Sequence, residues 1–399
     1  MNIKTGKGVI TLTALVGIWS VSALTSLPGL AISPILDDLS HIFTHASDLD
    51  IEMLTSLPSL MIIPFILLAG WLTEHLGYMR LLYWGLGLFA LCGVLYFFCD
   101  SINELLLVSA LLGIGAGIII PLSTYIISYF FDGEYRTQQF GYSSAINNVT
   151  LVVATVAVGY LADIKWRLPF VVYLLPFLSL LLMPFVARAG EKVATANISK
   201  KSVSPSVATI QYRPLMWYIL YYFLVTYLVM AVGIDLPFLM GEYSYSSGSV
   251  GVVTSIFYLA IMLPGFFLNP IMRFLKGRVT GTSLMMIALG LLLVYVSKEI
   301  VLITIGCFVA GAGYGIAQPY IYDRSSQYAS PQKTAFALGL VMTMNYVAIL
   351  LYPFIIDFFQ KIMHTSSQRF SFGFNSLLAF AVLFFLLLYR VNSSSNEKQ

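Results

Sequence analysis

Gly113-Ile114-Gly115-Ala116-Gly117-Ile118-Ile119-Ile120-Pro121 returns 198 residues later as Gly311-Ala312-Gly313-Tyr314-Gly315-Ile316-Ala317-Gln318-Pro319. Both stretches read G-x-G-x-G-I-x-x-P. The same offset pairs Gly141 with Gly339 and Asn147 with Asn345, and an offset of 200 pairs Pro64 with Pro264 and Gly77 with Gly277. In a chain of 399 residues the period is half the protein, so the sequence reads as one unit present twice.

Composition says where that unit sits. Hydrophobic residues make up 59% of the chain and charged residues 10%, with a mean hydropathy of +0.87. Soluble domains carry roughly 25% charged residues, so much of this surface is expected to face lipid. The net charge of +3 is small, and no basic run with interleaved aromatics stands outside the tails and loops, so nucleic acid is not an expected partner. Cys92, Cys99 and Cys307 match no metal-ligand spacing and read as small packing residues. The first apolar segment is too long for a secretory leader and lacks a small-residue cleavage site, so it reads as a retained helix.

A bilayer-spanning helix needs roughly 20 apolar residues. Twelve stretches qualify: 9–34, 52–73, 80–99, 104–130, 138–162, 168–188, 214–239, 248–272, 280–297, 300–325, 334–358 and 370–390. Residues 1–188 are expected to form one six-helix bundle and 213–399 a second, joined over 189–212 by a polar linker, with room for a short surface helix, that carries Lys192, Lys200, Lys201 and Pro205. With the N-terminus inside, 16 Lys and Arg residues fall on the cytoplasmic side and 5 outside. Both termini are therefore expected in the cytoplasm of a multi-pass plasma-membrane protein. Two six-helix halves related by a repeat fit the plan of a secondary transporter. No phosphate-binding G-x-x-x-x-G-K-[ST] loop is present, and no loop is long enough for a nucleotide domain. The chain is not expected to be an enzyme, and no cofactor is implied.

Gly70-Trp71-Leu72-Thr73-Glu74-His75-Leu76-Gly77-Tyr78-Met79-Arg80 resembles the loop between helices 2 and 3 of the major facilitator superfamily, G-x-L-(A/T)-D-(R/K)-x-G-(R/K)-(R/K). Ser109-x-x-x-Gly113-x-Gly115-x-Gly117 resembles the family's second motif, with Ser109 where Arg is usual. The resemblance runs along nearly the whole chain and points to the drug-exporter branch. It implies an all-α membrane protein of twelve transmembrane helices in two pseudo-symmetric six-helix bundles, acting as a monomer by alternating access. It further implies a cytoplasmic gate at Gly70, Glu74, Gly77 and Arg80, with Arg80 beside Glu74. The departures matter: His75 and Tyr78 replace expected basic residues, and the fifth span lacks the G-P-x-x-G-G of drug antiporters. Coupling to protons follows from the resemblance alone.

Ionisable groups inside a membrane are functional candidates by default. Asp323 and Arg324 fall near the cytoplasmic end of the tenth span. They read as a site for substrate charge or the coupling proton, or as a helix-end pair facing water. Asp235 and its repeat mate Asp37 read as interfacial caps. Tyr218, Tyr222 and Thr226 share a helical face of the seventh span, and Tyr314, Gln318 and Tyr322 one of the tenth. Asn147 and Asn345 are repeat mates on the fifth and eleventh. Aromatic rings with hydroxyl tips suit an amphipathic solute, and they also suit ordinary packing. His41 and His45, four apart in an acidic external loop, are too unspecific to assign a metal. The expected activity is proton-coupled export of a small amphipathic solute, a drug-like compound or a metallophore. The alternative is import of a small nutrient such as a sugar or organic acid.

Overall fold

A computed structural model of the chain describes residues 2–28, 31–32, 39, 42–43, 48–200, 209–245, 247–365 and 367–396. Asp37, His41 and His45 lie outside the described residues. A short antiparallel hairpin, β1 (Asn2–Lys4) and β2 (Val9–Thr11), opens the chain. Helices follow: α1 (Leu12–Ala23), α2 (Asp48–Leu76), α3 (Tyr78–Leu95), α4 (Ile102–Phe130), α5 (Gly133–Ile164) and α6 (Pro176–Lys200). The second series comprises α7 (Tyr212–Met230), α8 (Leu236–Glu242), α9 (Ser247–Phe266), α10 (Leu268–Leu275) and α11 (Val279–Val296), then α12 (Ile300–Gln327), α13 (Thr334–Ile362) and α14 (Arg369–Asn396).

Eleven helical stretches among the described residues are long and apolar enough to cross a bilayer, and α1 is a shorter apolar helix. Among the described residues the hairpin holds the only strands, and the rest of the regular structure is helical. Three local features differ from the sequence reading. The hairpin occupies the basic N-terminus. The helix of the sixth span runs on to Lys200, well into the segment read as linker, because Ala189-Gly190-Glu191-Lys192-Val193-Ala194 consists largely of helix formers and no proline follows until Pro205. The seventh span is interrupted by a π-helical turn at Ala231–Asp235 before α8.

The chain forms two compact units. The first comprises Met1–Tyr218 with Tyr322–Tyr346, and the second Ile219–Ile321 with Val347–Gln399. In the first, α4 packs on α2 and α3, and the glycines explain how. A Cβ on Gly113 would come 2.5 Å from the Pro58 carbonyl oxygen and one on Gly117 2.7 Å from the Phe65 Cβ, both on α2. One on Gly115 would come 3.1 Å from the Phe89 nitrogen on α3. The second unit repeats this arrangement. Cβ atoms on Gly311 and Gly315 would press on the Phe257 and Ile261 carbonyl oxygens of α9, and one on Gly313 would lie 2.7 Å from the Ser283 carbonyl oxygen of α11. Without side chains at these positions, backbones approach closely where lipid supplies no hydrophobic drive to associate. Pro64, Pro121, Pro264 and Pro319 all lie inside helices, each removing one ladder hydrogen bond.

Candidate functional site

Four predicted residues meet in the second unit. Gln318 donates from Nε2 to the Tyr222 hydroxyl at 3.0 Å. The Thr226 and Tyr314 hydroxyls lie 3.4 Å apart, and Tyr314 is also within hydrogen-bonding reach of Tyr222. Tyr222 is completely buried, and Thr226 and Tyr314 are buried. The i, i+4 spacing on α7 and on α12 brings each pair onto one face, as the sequence implied. Neutral donors and acceptors set among aromatic rings can hold an uncharged or cationic amphiphile. The four side chains supply no charge to fix an anion.

The other candidates are placed elsewhere. Tyr218 stacks on Tyr328, ring centroids 5.8 Å apart, and Tyr322 packs on Phe140 at 6.1 Å, both in the first unit. Asn147 accepts from the Thr25 and Ser26 hydroxyls at 2.8 and 2.5 Å, fastening α5 to the chain just beyond α1. Asn345 is half-buried on α13. Ser109, standing where the family motif has Arg, is buried and bonds the Tyr96 hydroxyl at 2.7 Å.

Asp323 is 2% exposed, and both its carboxylate oxygens are engaged. Arg136 donates from Nε to Oδ1 at 3.0 Å, and Gln327 from Nε2 to Oδ2 at 3.1 Å. Nothing in the sequence singles out Arg136. It reads as one loop cation among many, 187 residues from Asp323, and spacing carries no hint of the pair. On α5 it also reaches Asp132, one turn back, at 3.5 Å. The N-terminal hairpin continues the cluster. The Asp132 backbone N–H donates to the Thr5 carbonyl at 2.9 Å, and Lys7 Nζ donates to the last carbonyls of α4, those of Ser128 and Tyr129, at 2.7 and 3.0 Å. Burial lowers the pKa of the Lys7 ammonium; Asp132 raises it and Arg136 lowers it further. Arg324, adjacent to Asp323, is half-buried.

At the predicted gate, Glu74 takes its ion pair from Lys333, Nζ to Oε2 at 2.6 Å, rather than from Arg80, which is exposed. The physical reason is reach. Gly70 lets α2 approach the start of α13 so closely that a Cβ would lie 2.8 Å from the Phe336 Cα, and this brings Lys333 over Glu74. Gly77 caps α3 at φ +79°, a conformation that suits glycine. Asp235, read as an interfacial cap, is instead buried and bonded to Tyr352. Among the described residues no group of three or more His, Cys, Asp or Glu could hold a metal ion.

Residues 14–353 match the Major Facilitator Superfamily. The chain is 26% identical to a probable nitrate transporter, NarT, of Staphylococcus epidermidis, over 98% of each chain. It is 23% identical to the quinolone resistance protein NorA of Staphylococcus aureus, over 75% of this chain and 77% of the relative. The solved structure of a proton:xylose symporter, XylE, superposes with a TM-score of 0.71 at 13% identity, covering 93% of this chain and 94% of that one.

Proposed function

The chain belongs to the Major Facilitator Superfamily, and from that premise we propose that it exports a small amphipathic solute by alternating access, driven by the proton gradient. The observation that carries the reading is the uncharged network of buried Tyr222, Thr226 and Tyr314 with half-buried Gln318. Its rings offer apolar area and its hydroxyl and amide groups fix orientation, the chemistry of a small-molecule site. Partial likeness to NorA agrees with it.

In this reading both termini face the cytoplasm of a plasma-membrane protein, and residues 1–188 and 213–399 are the moving halves. The Arg136–Asp323 and Glu74–Lys333 pairs form the cytoplasmic gate, with Gly70 and Gly77 allowing the close approach and the turn. The first pair is buried, so breaking it requires rehydrating two charges; the second is exposed and weak. Asp323, fully engaged by Arg136 and Gln327, acts as a gate residue rather than a solute ligand.

Uptake of a small anion is a second reading, favoured by the end-to-end match to the probable nitrate transporter. It calls for a cation at the solute, and the four-residue network contains none. Ethidium in everted vesicles separates the two. An acid interior is expected to drive ethidium accumulation by the wild-type protein, and the double change Tyr222→Phe with Gln318→Ala to cut it at least tenfold. Nitrate uptake into intact cells, with no ethidium movement, would overturn the export reading.

A further inference from the structure

Asp235 closes the π-helical turn Ala231–Asp235 between α7 and α8. Such single turns shift the register of a helix and recur at functional sites. Here the turn leaves a carboxylate 8% exposed inside an apolar span. The Tyr352 hydroxyl on α13 donates to Oδ2 at 2.5 Å, and Ser371, in the first turn of α14, also reaches the carboxylate. Tyr352 is itself completely buried and packs against Tyr227, ring centroids 5.2 Å apart. Beside the carboxylate opens a cavity of ≈ 220 Å³, lined by Asp235, Phe238, Pro353, Asp357, Gln360 and Gln368 among others.

The contrast with Asp323 is in the partners. Asp323 has a guanidinium; Asp235 has hydroxyls. The charged groups around Asp235 are engaged elsewhere. Asp357 pairs with Lys361 at 2.7 Å, and Glu242 accepts from the Gln368 backbone N–H. Arg369 donates to the Tyr243 hydroxyl and the Ser297 carbonyl. The α9 helix brings no charged side chain. Among the described residues no Lys or Arg forms an ion pair with Asp235. Two hydroxyl partners compensate only part of the desolvation cost of an ionised carboxylate so placed, and a proton removes the rest.

Taking the proton-driven reading above as its basis, we propose that Asp235 is the residue that binds and releases the coupling proton, supplied from water through the adjoining cavity, with Tyr352 as its positioning residue. Hydronium gives its proton to a carboxylate oxygen, forming one O–H bond and leaving water; release reverses the step, with no electron transfer. Tyr352 donates to the ionised form and can accept from the protonated one, so the carboxyl stays oriented in both. Asp357, the other carboxylate on this cavity, is paired with Lys361, and among the described residues no group of three or more His, Cys, Asp or Glu could hold a metal ion, so the site suits a proton better than a metal ion.

Infrared difference spectroscopy of the protein in lipid, titrated with pH, tests the assignment without knowledge of the solute. A protonated-carboxyl C=O band is expected to titrate in the wild type, to vanish in Asp235→Asn, to persist in Asp235→Glu and to shift in frequency in Tyr352→Phe. A band unchanged in Asp235→Asn, no titrating band in the wild type, or a band driven by Na⁺ at fixed pH overturns the assignment. In proteoliposomes, Asp235→Asn is expected to lose at least tenfold of ΔpH-driven ethidium accumulation while keeping downhill equilibration. ΔpH-driven accumulation that survives Asp235→Asn overturns the role of Asp235 alone. Wild-type ethidium flux indifferent to ΔpH, with the Asp235 band intact, overturns the coupling and with it the proton-driven reading.

Discussion

Set side by side, the two copies of the glycine stretch share a scaffold and differ in what hangs from it. Gly113, Gly115 and Gly117 on α4 make the same close helix approaches as Gly311, Gly313 and Gly315 on α12. Where α4 has Ala116, Ile120, Thr124 and Tyr125, however, α12 has Tyr314, Gln318, Tyr322 and Asp323. At the first two positions the first copy carries apolar packing where the second carries hydrogen-bonding groups, and at the last it carries a neutral Tyr125 where the second carries the charge of Asp323. The first and seventh spans repeat the contrast, with Leu24 and Pro28 against Tyr222 and Thr226. The two copies share the packing that lets helices approach in lipid, and the Tyr222–Thr226–Tyr314–Gln318 network belongs to the second copy alone.

The largest expected effect concerns the charge unique to the second copy. Arg136→Ala leaves Asp323 buried without its cation and is expected to destabilise the protein by about 3–5 kcal/mol. The double variant with Asp323→Asn should recover most of the loss, because the amide needs no counter-charge. Thermal unfolding in detergent measures both, and a double variant no better than Arg136→Ala would show that the two residues do not depend on each other.

The shared scaffold makes the next prediction symmetric. Gly117→Ala and Gly315→Ala each force a methyl group against the neighbouring helix and should each cost about 1–3 kcal/mol of overpacking. A fall in melting temperature for one copy only would break the equivalence of the two.

How much of this was legible in the sequence follows from which signals are local. The repeat, the spans and the shared helix faces of Tyr222 with Thr226 and of Tyr314 with Gln318 are written in periodicity, and the structure has them. Tyr218 and Tyr322 obey the same periodicity yet go to Tyr328 and Phe140, because helical spacing specifies a face and not what that face meets. Arg136 and Lys333 were invisible as the partners of Asp323 and Glu74, since both pairs join positions far apart in the chain and depend on helix ends meeting. The burial of Asp235 escapes the sequence for a related reason. Proximity to a helix end suggests water, but the π-helical turn and Tyr352 from α13 enclose it.

If solute is held by the second copy, as proposed, one comparison shows it directly. Gln318→Ala and Ile120→Ala alter the same register position in the two copies. The KM for ethidium transport in proteoliposomes is to be measured for each, at a temperature where both are folded. Gln318→Ala is expected to raise KM about tenfold, the value of one hydrogen bond of roughly 1.4 kcal/mol, while Ile120→Ala lowers thermal stability and leaves KM unchanged. Equal KM changes in the two variants, or a change in Ile120→Ala alone, would contradict it.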